Sequence, residues 1–78
     1  QLNIQVYMSD TREFKLTKEF IELNKLLKYE NVISSGAEAG VVISEGYVLV
    51  NGEVETRKRK KLRKGDVILF ESVTITVF

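Results

Sequence analysis

Seven of the eight residues from Arg57 to Lys64 are lysine or arginine, interrupted only by Leu62. Side chains of that type at that density displace the counterions condensed on a polyphosphate, which gives affinity with little sequence preference and a steep dependence on salt. The rest of the chain holds five basic residues against eleven acidic ones, so a formal net charge of +1 conceals a strongly polarised molecule. Its acidic remainder would repel a polyanion approaching from the wrong side. In an extended run alternate side chains share a face, so Leu62 would carry Lys58, Lys60 and Lys64 toward the core and leave Arg57, Arg59, Lys61 and Arg63 outside. Arginine grips phosphate oxygens in pairs and stacks on exposed bases, which makes Arg57, Arg59 and Arg63 the leading expected contacts.

A second anion site is expected at the start of a helix, where Ser34, Ser35 and Gly36 precede free backbone amides and the positive end of the helix dipole. The competing role for Ser35 is to cap the helix itself. Tyr29 and Tyr47 are placed for rim packing or for stacking on bases, and Asn51 is accounted for by turn geometry. Catalysis has no visible apparatus. Glu53 and Glu55 fall on one side of a strand, but basic neighbours are expected to pair with them before they can act as acid and base or hold magnesium. Cysteine and histidine are both absent, which removes disulfides, thiolate and imidazole metal sites, and imidazole catalysis. No Gly-x-x-x-x-Gly-Lys phosphate loop is present. A non-catalytic protein without cofactor or metal is expected. Since no apolar stretch approaches the roughly 20 residues of a membrane span, and the start lacks a basic segment followed by an apolar one, a cytoplasmic protein with no membrane contact is expected.

The elements that must position these residues follow from periodicity. Seventy-eight residues stand near the lower limit for folding without metal or disulfide support, so a single domain over residues 1–78, acting as a monomer, is expected. Asn3 to Met8 alternates like a half-buried strand, with a polar turn over Ser9 to Glu13. Thr17 can cap a helix from about Lys18 to Tyr29, with Phe20, Leu23 and Leu27 along one stripe and Ile21 and Leu26 widening it. Ser35-Gly-Ala-Glu38 has the form of a capping box and starts a second helix reaching about Glu45, with Gly46 placed to end it. Its small residues Ala37, Ala39 and Gly40 permit close approach to another helix. Val48 and Val50 then face one side of a strand, and Asn51-Gly52 is a strong hairpin signal before a return strand from Glu53 to about Thr56. Lys64-Gly65-Asp66 reads as a turn, and Val67–Phe70 and Val73–Val77 as strands, the last able to pair with the N-terminal one.

The stretch from Leu23 to Ile68 resembles the S-four RNA-binding superfamily, whose αL motif is named for a small-subunit ribosomal protein. The resemblance is carried by Leu26-Leu27, by Ser34-Ser35-Gly36-Ala37-Glu38-Ala39, by Ile43-Ser44-Glu45-Gly46, by Val48-Leu49-Val50-Asn51-Gly52 and by Lys64-Gly65-Asp66-Val67-Ile68, in the family's order and spacing. The continuation Glu55-Thr56-Arg57-Lys58-Arg59 is similar to the small stand-alone bacterial members, the YaaA and YbcJ group. What the resemblance implies is an α+β fold, two short helices packed on a small, mostly antiparallel sheet, and a non-catalytic module that binds structured RNA, with ribosomal RNA as a candidate target. Larger members carry basic residues on the two helices, where this chain has Glu22, Gly36 and Gly40. The implied contact therefore shifts to Arg57, Lys58, Arg59, Lys60, Lys61, Arg63 and Lys64, with Ser34, Ser35 and Gly36 beside them. The alternatives are an adaptor docking the same strip on an acidic protein, and a membrane-surface module, for which no basic amphipathic helix speaks.

Overall fold

The structure, a computed structural model, describes residues 10–78. Alternation of buried and more open positions organises the second half of the chain. The strands β3 (Val48–Val50), β6 (Val67–Phe70) and β7 (Val73–Val77) bury Val48, Val50, Ile68, Phe70, Ile75 and Val77, the every-second-residue pattern of a sheet with one covered face. The short β4 (Glu53–Val54) returns antiparallel to β3 through Asn51 and Gly52, whose φ values of 54° and 86° are those a tight hairpin requires. At the opposite edge β1 (Asp10–Phe14) runs parallel to β7, and the sheet order is β1-β7-β6-β3-β4. The remaining pairings among the described residues are antiparallel, including a separate ladder between β2 (Ile21–Glu22) and β5 (Lys61–Leu62).

Two helices complete the core. From α1 (Leu23–Tyr29) come Leu23, Leu26 and Leu27, and from α2 (Gly36–Ser44) Ala39 and Ile43. They join Leu16, Ile33, Leu62 and the covered face of the sheet in one cluster, and among the described residues no polar or charged side chain is buried. Each fully buried leucine or isoleucine stabilises the fold by about 1.5–3 kcal/mol, so the helices are held mainly by their apolar faces. The architecture is the expected α+β arrangement of two short helices on a mostly antiparallel sheet. Among the described residues no helix is long and apolar enough to cross a membrane.

Local signals fixed α2 at both ends. The Ser35 hydroxyl accepts the Glu38 N–H at 3.1 Å, and Gly46 ends the helix with φ +87°. The capping box is only half formed, because the Glu38 carboxylate accepts the Ser34 hydroxyl at 2.9 Å. Three expectations are corrected. Of the polar turn expected over Ser9 to Glu13, Asp10 to Glu13 lie instead in β1, whose backbone pairs with β7 and whose mostly exposed side chains suit an edge strand, while Ser9 is outside the described residues. The helix expected from Lys18 begins only at Leu23, because Ile21 and Glu22 pair with Leu62 and Lys61 instead. The strand expected through Thr56 stops at Val54, where the Glu55 carboxylate accepts the Arg57 N–H at 2.9 Å and turns the chain. The strand expected over Asn3 to Met8 lies outside the described residues.

Candidate nucleic-acid interface

The basic run is tied down by its backbone and left open by its side chains. The first two amides of α1, on Leu23 and Asn24, donate to the carbonyls of Lys60 and Lys58, both at 2.9 Å. Those amides have no partner inside the helix, so the run supplies the cap that the sequence suggested Thr17 would provide. A turn at Lys58 and Arg59 closes with the Lys60 N–H on the Arg57 carbonyl at 3.1 Å. Beyond it Leu62 is fully buried and anchors β5 in the core.

The far end of the run is held by the next turn. Gly65 sits at φ +99°, a left-handed conformation that suits glycine. The Asp66 carboxylate accepts the Arg63 backbone N–H at 2.8 Å and the Asn51 side-chain Nδ2–H at 3.0 Å, while the Asn51 side-chain Oδ1 accepts the Val67 N–H at 2.9 Å. Asn51 therefore clamps the hairpin to the turn below it, a structural role beyond its positive φ.

The turn at Lys58 and Arg59 overturns the alternation expected of an extended run. Lys58 and Lys64, expected to face the core with Leu62, are exposed, and Lys60 is half-buried. Arg57, Arg59, Lys60, Lys61 and Arg63 come together around a shallow depression of about 410 Å³. Lys58 lies on the other side, over α2: a Cβ placed on Gly40 would stand 3.4 Å from the Lys58 Cδ. The small residues of α2 thus serve two purposes, Ala39 being buried in the core and Gly40 making room for a lysine stem. Lys58, Thr56, Gly36, Ala37, Gly40 and Val41 border a second open depression, so Gly36 adjoins the strip through Lys58.

Carboxylates divide the run into two sets. Arg57 is paired with Glu55 at 2.9 Å through Nε, with a second contact from its NH2 at 3.1 Å, and Arg59 reaches Glu22 at 3.3 Å. Glu22 also meets Lys25 at 3.6 Å, so the acidic residue at the head of α1 serves two cations. The hydrogen bonds from Arg57 hold the Glu55 carboxyl down at about 2, against an ordinary value of 4.5. Lys58, Lys60, Lys61, Arg63 and Lys64 have no carboxylate within 4.0 Å among the described residues, which hold all eleven acidic side chains of the chain. At the start of α2, by contrast, the Ser34 and Ser35 hydroxyls are engaged with Glu38, whose carboxylate already faces the positive end of the helix.

Sequence reasoning did not single out Phe20 as a functional residue. Its spacing puts it on a helical stripe, but it precedes β2 and lies under two cations, with the Lys61 Nζ 4.8 Å and the Arg63 Cζ 5.9 Å from its ring centre. Tyr29 stays 68% exposed and packs edge-on against Phe14, with ring centres 5.2 Å apart, and Tyr47 is likewise exposed. No group of three or more acidic side chains able to hold a metal ion occurs among the described residues.

Comparison with known proteins matches this geometry to a family. The family model for the S4 domain matches residues 14–78. YbcJ of Escherichia coli (strain K12) is 46% identical over 57 residues, which span 73% of this chain and 81% of YbcJ. RlbA of Bacillus subtilis (strain 168), whose name links it to ribosome maturation, is 45% identical over 53 residues, 68% of this chain and 75% of RlbA. The solution structure of YbcJ from E. coli, described as revealing an αL motif involved in RNA binding, superposes with a TM-score of 0.64 at 44% identity and covers 88% of this chain and 91% of that one.

Proposed function

The chain belongs to the S4 domain family, and on that basis we propose that it is a non-catalytic cytoplasmic module, a single domain acting as a monomer, that binds structured RNA. The strip from Arg57 to Lys64 is its principal contact and ribosomal RNA its target class. One observation carries the reading. Five cations stand exposed or half-buried, without a carboxylate partner, on backbone that the fold holds rigidly from both sides. A preset array of this kind meets a phosphate backbone without ordering a loop, so little of the counterion-release energy is lost to chain entropy. The likeness to YbcJ and to RlbA supports RNA over other polyanions and ribosomal RNA over other RNA.

Within the strip, Lys58, Lys60, Lys61, Arg63 and Lys64 make the primary contacts. Arg57 and Arg59 join when phosphate displaces Glu55 and Glu22. Gly36 extends the surface through its neighbour Lys58, with Ser34 and Ser35 at its outer margin. Crosslinking of the protein to RNA in living cells, followed by sequencing of the bound fragments, tests the assignment. Enrichment of folded ribosomal RNA segments is expected. Recovery of no RNA above background, together with equal displacement of the protein by an acidic peptide and by RNA, would turn the reading toward an acidic protein partner.

A further inference from the structure

An open groove of about 650 Å³ runs alongside the basic strip without being part of it. Its apolar walls include Phe14, Leu16, Phe20, Ile21 and Tyr29, and the edge-on contact between Phe14 and Tyr29 fixes one side. The Phe20 ring joins the groove to the strip, because the two cations above it, Lys61 and Arg63, also border the basic depression. Neither cation has a carboxylate partner among the described residues.

We infer that this groove receives one unpaired nucleobase of the bound RNA, stacked on Phe20, with Lys61 and Arg63 holding the phosphates that flank it. The inference rests on the RNA-binding reading above and adds to it a preference for RNA with an unpaired nucleotide. The chemistry of the walls favours this occupant. A flat, apolar-faced group with a polyanionic tether matches an aromatic floor with cations at one rim. Bases inside a duplex have both faces covered, so only an unpaired one can enter. Glu19 and Glu22 line the groove together with Lys18 and Lys25, so its lining carries no net charge, and the two cations over Phe20 set the polarity: base inward, phosphate toward Lys61 and Arg63. The Phe20 ring is half-buried, and an entering base covers more of it than a single ammonium or guanidinium does, so the base displaces the cations to the phosphate.

Two RNA hairpins test this, one fully paired and one with a single unpaired 2-aminopurine, each titrated with the full chain at low salt. The wild-type protein is expected to bind the bulged hairpin more tightly and to quench its 2-aminopurine fluorescence. Phe20→Leu should abolish the quenching and weaken binding of the bulged hairpin about tenfold, the worth of one stacked base. It should leave affinity for the paired hairpin unchanged, and Phe20→Trp should restore both signals. Unchanged binding of both hairpins by Phe20→Leu, or an equal loss on both, overturns the inference while leaving the RNA reading intact. Failure of the wild-type protein to bind either hairpin sinks both. Loss of a concentration-dependent dimer in Phe20→Leu, with RNA affinities untouched, assigns the groove to a second copy of the chain and likewise overturns the inference.

Discussion

At the start of α2 the fold has used the side chains, for the Ser34 and Ser35 hydroxyls are both engaged with Glu38. From Lys58 to Lys64 it has used the backbone, since Lys58 and Lys60 cap α1 with their carbonyls and the Lys61–Leu62 pair forms a ladder with β2. Each region offers an anion something positive, but in different currencies. Amides at a helix start attract any nearby carboxylate, and α2 carries its own. Ammonium and guanidinium groups are solvated until a polyanion arrives, and here only two of seven are claimed by carboxylates. A positive element remains available to a partner when the fold spends a different part of the same residues on itself.

The comparison is broken most forcefully by removing cations. Replacing Lys58, Lys61 and Arg63 with alanine should weaken binding of a structured RNA by tenfold or more, on the order of 1.4 kcal/mol at least, with the thermal midpoint nearly unchanged because the three side chains are exposed. Filter binding beside calorimetry would check both halves. Ser35→Ala should do the reverse, costing about 1 kcal/mol of stability through the lost cap while RNA affinity stays within about twofold. A large affinity loss in Ser35→Ala would erase the distinction between the two regions.

Smaller effects sharpen the picture. Gly40→Ala should stabilise α2 by about 0.5–1 kcal/mol, since the added methyl improves helix propensity and meets only the flexible Lys58 stem at 3.4 Å. Denaturant unfolding measures the gain. Glu55→Gln frees Arg57 and should raise RNA affinity by about threefold, one added phosphate contact. It should also remove an acid dependence. The Glu55 pKa is depressed from 4.5 to about 2 in the folded protein, so its stabilising effect is fully present above pH 4.5 and is lost as pH falls from there through about 2. Unfolding curves of the wild type and Glu55→Gln should therefore converge below that window and separate above it.

What the sequence revealed was what short-range physics decides. Val48 and Val50 alternate because one face is covered, Asn51-Gly52 turns because both residues accept positive φ, and Ser35 caps because the amide of Glu38 is three residues away. The misread segments depend on partners far along the chain. Asp10 to Phe14 is polar enough to read as a turn and becomes a strand only because β7 lies beside it. Lys18 to Glu22 has a helical stripe, yet the pairing of Ile21 with Leu62 and the carbonyls of Lys58 and Lys60 set where α1 begins. The basic cluster was legible from composition, whereas its geometry, its pairing with Glu22 and Glu55, and its junction with Phe20 arise from that same long-range contact.

The most direct test of the central claim is the salt dependence of RNA binding. If the unpaired cations of the strip place about three to five side chains on phosphates, a plot of log affinity against log salt should fall with a slope of about −2 to −4. The Lys58, Lys61 and Arg63 triple replacement should flatten it by about 2. A slope near zero, or one the replacement leaves unchanged, would contradict the account.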